Sequence, residues 1–343
     1  MKHCKVEFDC VGNKFLRLPN VERYDIVHKT KEGFVAQIEM EDGYEFLLNV
    51  YAYSEVFPST AIELIEKKDW KNNCNVIICP YISERTAKIC EQNGIGYFDY
   101  AGNCYFSAHS IFIMEKGNKN QNPKLNKAVS VFETSSVVSS LILRELLSDV
   151  SKEWKQKHLA EKLNCSIGQV SKVIHFLKNN AWIKQENNGY KITDIETLMN
   201  EWSRVYGKKE KQMYGYYSLE QLSVIEKKLV SLQKDMGIDT YLTGISGGVR
   251  YAPVVRYNKL YMYIAPEDIQ EAIQYLELKE VTSGANVILC PLDQDTYIKD
   301  ARLISDSMVV SPVQIYLDCK QMKGRGEEMA EAVLAKEILN GKG

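Results

Sequence analysis

The middle of the chain contains the stretch CSIGQVSKVIHFLKNNAWI (Cys165–Ile183), whose apolar residues recur at the spacing of a packed helix. Those apolar positions are Val170, Val173, Ile174 and Leu177. Ser166 and Gln169 have the spacing of a capping box, which predicts that the helix begins there. The opposite face lacks the Glu–Lys pairs of the chain's ordinary solvated helices. It carries Gly168, Lys172, His175 and Asn179, with Gln169 and Ser171 beside them. This polar face predicts contact with a partner.

The flanks of this helix indicate what the partner is. Apolar spacing predicts helices over residues 135–150 and 155–163, and Asn164-Cys165-Ser166 predicts a tight turn before the third helix. Asn187-Asn188-Gly189 predicts a β-hairpin with a favoured Asn-Gly turn. Helix, helix–turn–helix and hairpin follow one another as in a winged helix, whose third helix enters the DNA major groove.

The predicted DNA-binding residues fall into two groups. On the third helix, Gln169 is expected to prefer adenine, Lys172 guanine or phosphate, and small Gly168 allows close approach to the DNA backbone. The outward groups of this helix and of its cap are Ser166, Gly168, Gln169, Ser171, Lys172 and His175. Lysines before and after the helix are expected to hold phosphates and to fix position. The lysines of this second group are Lys155, Lys157, Lys162, Lys184 and Lys191, and Asn188 in the hairpin turn is a further predicted DNA-binding residue. Phe176 lies off the apolar stripe and is predicted to pack on the hairpin or on a neighbouring domain.

The charge distribution supports a polyanionic partner. The net charge of the chain is −2, but residues 116–191 carry 13 Lys+Arg against 6 Asp+Glu, a net charge of +7. Residues 1–115 and 212–343 have net charges of −5 and −4. Clustered positive charge is typical of nucleic-acid binding. Two alternatives remain open, since winged helices also bind proteins and a lysine-rich face can be merely solvated.

Length and composition predict a multidomain α/β protein. A chain of 343 residues is longer than one hydrophobic core usually accommodates, so more than one domain is expected. The predicted parts are an α/β domain over 1–114, a linker over 115–129, a winged helix-turn-helix over 130–206 and a second α/β domain over 212–343. Nine cysteines without a CxxC pair indicate reduced thiols in the cytoplasm. No apolar run approaches the roughly 20 residues that span a bilayer, so no membrane association is expected.

Neither outer domain shows an intact catalytic motif. The first resembles a restriction-endonuclease fold, but Asn49 and Tyr51 stand where glutamate and lysine would be needed to hold Mg²⁺. The C-terminal domain contains LTGISGG (242–248), which is similar to a nucleotidyltransferase motif. The next strand, however, offers Tyr261 and Tyr263 instead of metal-binding aspartates. No catalytic residue, metal ligand or cofactor is therefore predicted. A divergent metal-dependent nuclease or nucleotidyltransferase is the alternative.

Three local interpretations follow from the same reasoning. Gly247-Gly248 predicts a turn. Asp99 with Asn103 is interpreted as turn chemistry rather than as a DNA or partner contact. Asp318 and Arg325 are predicted to form an ion pair at the start of the last helix.

Three segments carry a family resemblance: ISERTAKICEQNGIGYFDYAGN (82–103), EWSRVY (201–206) behind the hairpin, and SPVQIYLDCKQMKGRGEEMAEAVL (311–334). With them the chain resembles the AbiEi-like antitoxins of type IV toxin–antitoxin (abortive infection) systems, although Cys319 stands where the family usually has leucine. The resemblance implies a winged-helix transcriptional regulator that binds double-stranded DNA of its own promoter. It also implies a neighbouring nucleotidyltransferase-like toxin, countered without a stable complex. The oligomeric state is left open.

Overall fold

The chain, in a computed structural model, is described over residues 4–67, 74–119, 131–132, 137–208 and 211–340. It divides into two compact units, residues 1–129 with 178–181 and residues 130–177 with 182–343. The second unit therefore contains most of the predicted winged-helix region together with the C-terminal part. Of the predicted linker, residues 120–129 lie outside the described residues.

The first unit is built on a seven-stranded sheet whose strands are ordered as in the sequence. The strands are β1 (Val21–Lys29), β2 (Gly33–Met40), β3 (Glu45–Ala52), β4 (Asn75–Cys79), β5 (Gly96–Asp99), β6 (Cys104–Ala108) and β7 (Ile111–Glu115). The helices are α1 (Cys4–Phe15), α2 (Pro58–Glu66) and α3 (Glu84–Gln92). Strands β3, β4 and β5 are parallel and the other neighbours are antiparallel.

Alternation along the central strands produces two cores in this unit. Val76 and Ile78 point into a cluster with Phe15 of α1, whereas Ile77 and Cys79 point into a cluster with residues of α2 and α3. All five residues of β4 are buried, as expected for a strand covered on both faces. Helix α3 is capped at its start, where the Ser83 side chain accepts a hydrogen bond from the Thr86 N–H.

The second unit begins with the elements predicted around the opening stretch. These are α4 (Val137–Ser148), α5 (Gln156–Lys162), α6 (Ile167–Asn179), the hairpin strands β8 (Ile183–Gln185) and β9 (Tyr190–Ile192), and α7 (Ile195–Tyr206). The turn before α6 is confirmed, with Asn164 at a positive φ of 47°.

A second seven-stranded sheet, in the order β13-β10-β14-β12-β11-β16-β15, forms the rest of this unit. Its strands are β10 (Tyr214–Tyr217), β11 (Thr240–Thr243), β12 (Leu260–Ile264), β13 (Lys279–Glu280), β14 (Val287–Pro291), β15 (Arg302–Ile304) and β16 (Ser307–Val309). Its helices are α8 (Leu222–Met236), α9 (Gly244–Tyr251), α10 (Ile269–Tyr275), α11 (Pro312–Cys319) and α12 (Arg325–Val333). One hydrophobic cluster joins this sheet to α4, α6 and α7.

The prediction of a turn at Gly247-Gly248 was wrong, because both residues lie inside α9. A Cβ atom on Gly247 would approach the Leu242 carbonyl oxygen to 2.8 Å, and one on Gly248 would approach Met329 to 2.6 Å. The two glycines therefore allow close packing of α9 against the β11 backbone and α12. The α/β fold class is confirmed, and no helix among the described residues is long and apolar enough to cross a bilayer.

Candidate nucleic-acid interface

Helix α6 is fixed at its start by a reciprocal cap and along its length by an apolar stripe. The Ser166 side chain accepts from the Gln169 N–H at 3.2 Å, and Gln169 Oε1 accepts from the Ser166 N–H at 3.0 Å. This is the predicted capping box. The four predicted inward residues of the stripe are at most 2 % exposed, which sets the orientation of the helix about its axis.

The predicted outward face is exposed as expected. Ser166, Gly168, Gln169, Ser171, Lys172 and His175 are all exposed, whereas Asn179 is half-buried. Phe176 packs inward, with its ring 5.8 Å from that of Trp182 just before β8. This contact agrees with the expectation that Phe176 packs on the hairpin or on a neighbouring domain.

The lysines predicted to hold phosphates are exposed on α5 and the hairpin, with one exception. On α5, the exposed lysines are Lys155 at its cap and Lys157 and Lys162 within it. On the hairpin, Lys184 and Asn188 are exposed, but Lys191 is half-buried. Lys157 lies 3.8 Å from Glu161, and Lys162 forms an ion pair with Glu145. Among the described residues, no ion pair is found for Lys155, Lys172 or Lys184.

The hairpin places two lysines directly opposite each other. Lys184 of β8 pairs with Lys191 of β9 in the strand register. Like charges at facing positions of an antiparallel pair are destabilising. A bound polyanion would remove that repulsion, so this pair favours an anionic partner. Both lysines were predicted as phosphate contacts, but their facing positions depend on the strand register and were not predicted.

The hairpin turn differs from the predicted type, because neither Asn188 nor Gly189 has a positive φ. Gly189 is needed for another reason. It precedes Tyr190, which forms a β-bridge with Trp154, and a Cβ on Gly189 would lie 2.6 Å from the Trp154 carbonyl oxygen. The Asn188 N–H donates to Glu153 at 2.9 Å. The segment before α5 thus holds the hairpin beside the helices.

No cluster of three or more potential metal ligands occurs among the described residues. Asn49 donates to the Asn75 side chain at 3.0 Å and is thus part of a structural amide pair. Asp99 is buried and accepts hydrogen bonds from the Ile82 N–H and from the Asn103 backbone and side-chain N–H groups. Burial raises the pKa of Asp99, while these bonds oppose the shift. Its interpretation as turn chemistry is consistent with these contacts.

Sequence reasoning missed a contact between Cys74 and His109. His109 Nε2 lies 2.9 Å from Cys74 Sγ, and Nδ1 lies 3.0 Å from the Tyr44 hydroxyl. Burial raises the pKa of the Cys74 thiol, so its nucleophilic thiolate is disfavoured at neutral pH. This contact therefore gives little support to the enzyme alternative.

Sequence reasoning also missed a buried polar cluster between α7, α11 and the second sheet. The Asp318 carboxylate accepts from the Tyr206 hydroxyl at 2.7 Å and from Thr243 at 2.6 Å, and Lys211 Nζ lies 2.9 Å away. Arg325 donates instead to the Arg256 carbonyl, so the predicted Asp318–Arg325 ion pair was wrong. Arg325 is on the next helix, whereas Asp318 faces inward.

These features describe a mixed α/β protein with an exposed, basic helix-and-hairpin surface and no metal-ligand cluster among its described residues. Residues 191–339 match the family described as "Transcriptional regulator, AbiEi antitoxin, Type IV TA system". The resemblance to AbiEi-like antitoxins is thereby confirmed over this segment, which contains the second and third segments that carried it. The family description is that of a regulator rather than an enzyme. No match to the chain is found among curated proteins or solved structures.

Proposed function

We propose that the protein is a sequence-specific DNA-binding regulator that represses its own operon as the antitoxin of a type IV toxin–antitoxin system. The observation that carries the proposal is the polar, exposed face of α6 opposite a fully buried stripe, within a segment of net charge +7. The order of α4, α5, α6 and the hairpin supports a winged helix, with α6 in the major groove. The facing lysines Lys184 and Lys191 support phosphate contact by the hairpin.

The outer parts of the chain take supporting roles in this proposal. The order α1-β1-β2-β3-α2-β4 supports a nuclease-like scaffold for residues 1–114, and the Asn49–Asn75 pair supports its lack of a metal site. The family match supports an antitoxin-family domain over residues 212–343. The partners proposed are the promoter of the operon and a neighbouring nucleotidyltransferase-like toxin, with which no stable complex forms.

The test is fluorescence anisotropy with the DNA upstream of the protein's own gene, over a salt series. Wild type is expected to bind this DNA more tightly than random DNA, with affinity falling steeply as salt rises. Gln169→Ala should lower the preference by about tenfold, in the range of one lost base contact. Lys172→Ala should weaken binding to every sequence. Thermal unfolding of Gln169→Ala serves as the control, because this variant also loses half of the capping box. Sequence-blind binding unchanged by either substitution would contradict the proposal.

The Gly168→Ala variant separates stability from DNA binding. A Cβ at this position would meet nothing nearer than Ser166 Oγ at 3.9 Å, so the folded protein has room for it. Alanine is the better helix former, and we expect the free energy of unfolding to rise by about 0.5–1 kcal/mol. DNA affinity should nevertheless fall, because the added methyl group holds α6 away from the DNA backbone. Urea unfolding and anisotropy on one preparation check both effects, and unchanged affinity would exclude close approach at Gly168.

A further inference from the structure

The first turn of α6 exposes an apolar side chain, Ile167, which has no role in contacts between lysines and phosphates. Ile167, its first residue, is 54 % exposed. Between residues 138 and 208, all of which the structure describes, no other large apolar residue is exposed. The N-terminal residues of a recognition helix are those that reach base edges. Ile167 is therefore placed where an apolar group on a base would be contacted.

The cap of α6 limits how Gln169 can act on the same DNA. Its Oε1 accepts hydrogen bonds from both the Ser166 N–H and the Ser166 hydroxyl, each at 3.0 Å. Bidentate pairing with adenine requires that oxygen to accept from N6 while the amide nitrogen donates to N7. Among the described contacts the oxygen is occupied and the Nε2 protons are not. With its cap intact, Gln169 presents donors only.

A donor and an apolar surface match thymine, which shows the O4 acceptor and the C5-methyl group in the major groove. Adenine instead shows a donor beside its acceptor, and cytosine shows a donor. We propose that the first turn of α6 selects thymine, with Ile167 contacting the C5-methyl group and the Gln169 amide donating to O4. This inference rests on the proposed DNA-binding function and replaces the expected preference of Gln169 for adenine.

The test removes the methyl group from the DNA and its contact from the protein. The upstream DNA is copied with uracil in place of every thymine, which deletes the methyl groups and keeps the hydrogen-bonding edge. Wild type is expected to bind this copy about fourfold more weakly for each contacted methyl group. Ile167→Ala should bind the natural DNA more weakly by a similar factor, with an unchanged salt slope, because the contact is apolar. The loss caused by uracil should be smaller in Ile167→Ala than in wild type.

The comparison between the two proteins isolates Ile167, since uracil also changes DNA stiffness equally for both. Lys172→Ala is the matched control on the same helix and should keep the full loss caused by uracil. Equal losses in wild type and Ile167→Ala would overturn the inference while leaving the proposed function standing. Absence of any preference of wild type for the natural upstream DNA would overturn the proposed function and the inference with it. Because Ile167 is exposed, Ile167→Ala is expected to unfold at the wild-type temperature.

Discussion

The Asp318→Asn variant is expected to unfold with a free energy about 3–5 kcal/mol below that of wild type. Asp318 is buried, and its carboxylate is held by Lys211, Thr243, Tyr206 and Tyr263. Asparagine keeps the shape but removes the negative charge. The Lys211 ammonium would then be left without its ion-pair partner in a largely desolvated site. Equilibrium unfolding in urea measures the loss.

A second buried cation makes the loss of Asp318 more costly. Arg144 of α4 is 3 % exposed and donates to the Gln314 side chain, a neutral acceptor. Gln314 in turn donates to the Tyr206 hydroxyl at 2.6 Å, and Tyr206 donates to Asp318. The Asp318 carboxylate thus balances the charge of Lys211 directly and that of Arg144 through Gln314 and Tyr206. Burial lowers the pKa of Arg144, while Tyr206 and Asp318 act to keep it charged.

Two variants control for the Asp318 prediction. Asp239→Asn removes an exposed carboxylate and should change the free energy of unfolding by less than about 0.5 kcal/mol. The double variant Asp318→Asn with Lys211→Met should recover part of the loss, because it removes the ammonium together with its partner. A loss below 1 kcal/mol for Asp318→Asn alone would show that the cluster is not a charged network in solution.

The same cluster predicts the direction of a pH dependence. Burial alone would raise the pKa of Asp318, but the Lys211 ammonium and hydrogen bonds such as that from Thr243 outweigh it and lower the pKa below its ordinary value. A carboxyl whose pKa is lower in the folded state stabilises the fold above its unfolded pKa, about 3.9. That contribution is lost as the pH falls toward the folded pKa. The difference between wild type and Asp318→Asn should therefore be constant from pH 5 to 7 and shrink below about pH 4.

The predictable part of this molecule is the part governed by local spacing. The period of the apolar residues gave α6 its bounds and its buried face, and Ser166 with Gln169 gave its cap, because helix formation and capping depend on residues within one or two turns. The exposure of Lys172 followed from the same periodicity. The binding of this exposed face to DNA stays a prediction.

The parts that could not be predicted depend on distant residues. Lys211 and Asp318 are 107 positions apart, and Arg144 and Gln314 are 170 apart, so no local pattern brings them together. Glycine pairs are ambiguous for the same reason. Gly247-Gly248 has the composition of a turn, but the nearby Leu242 backbone and Met329 make two residues without side chains necessary inside a helix. The cap formed by Ser166 and Gln169 was predicted from the sequence. That both Ser166 donors occupy Gln169 Oε1, leaving only its N–H donors for DNA, became visible only in the structure.

The second large effect is expected from three lysines of the proposed DNA-binding surface. Changing Lys155, Lys172 and Lys184 to glutamine together should weaken binding to the upstream DNA by about a hundredfold at 0.15 M salt. Each lost phosphate contact makes the fall of log K with log salt less steep by about 0.9, which at this salt is worth about fivefold in affinity. The three residues are exposed, so the fold should be unaffected. Anisotropy between 0.05 and 0.3 M salt, roughly the range over which such slopes are measured, gives affinity and slope together.

A matched variant distinguishes the effect of where the lysines lie from the effect of the net charge of the protein. Lys227, Lys234 and Lys279 are also exposed, but they lie on α8 and β13 of the second sheet. Changing these three to glutamine alters the net charge of the protein by the same amount. If α5, α6 and the hairpin hold the phosphates, this control should keep the wild-type slope, because charges more than a Debye length of about 8 Å from the DNA are largely screened. Equal slopes in the two triple variants would mean that the DNA responds only to overall charge. In that case α6 would not be the element that enters the groove, and the proposed regulator would have to bind its promoter through another surface.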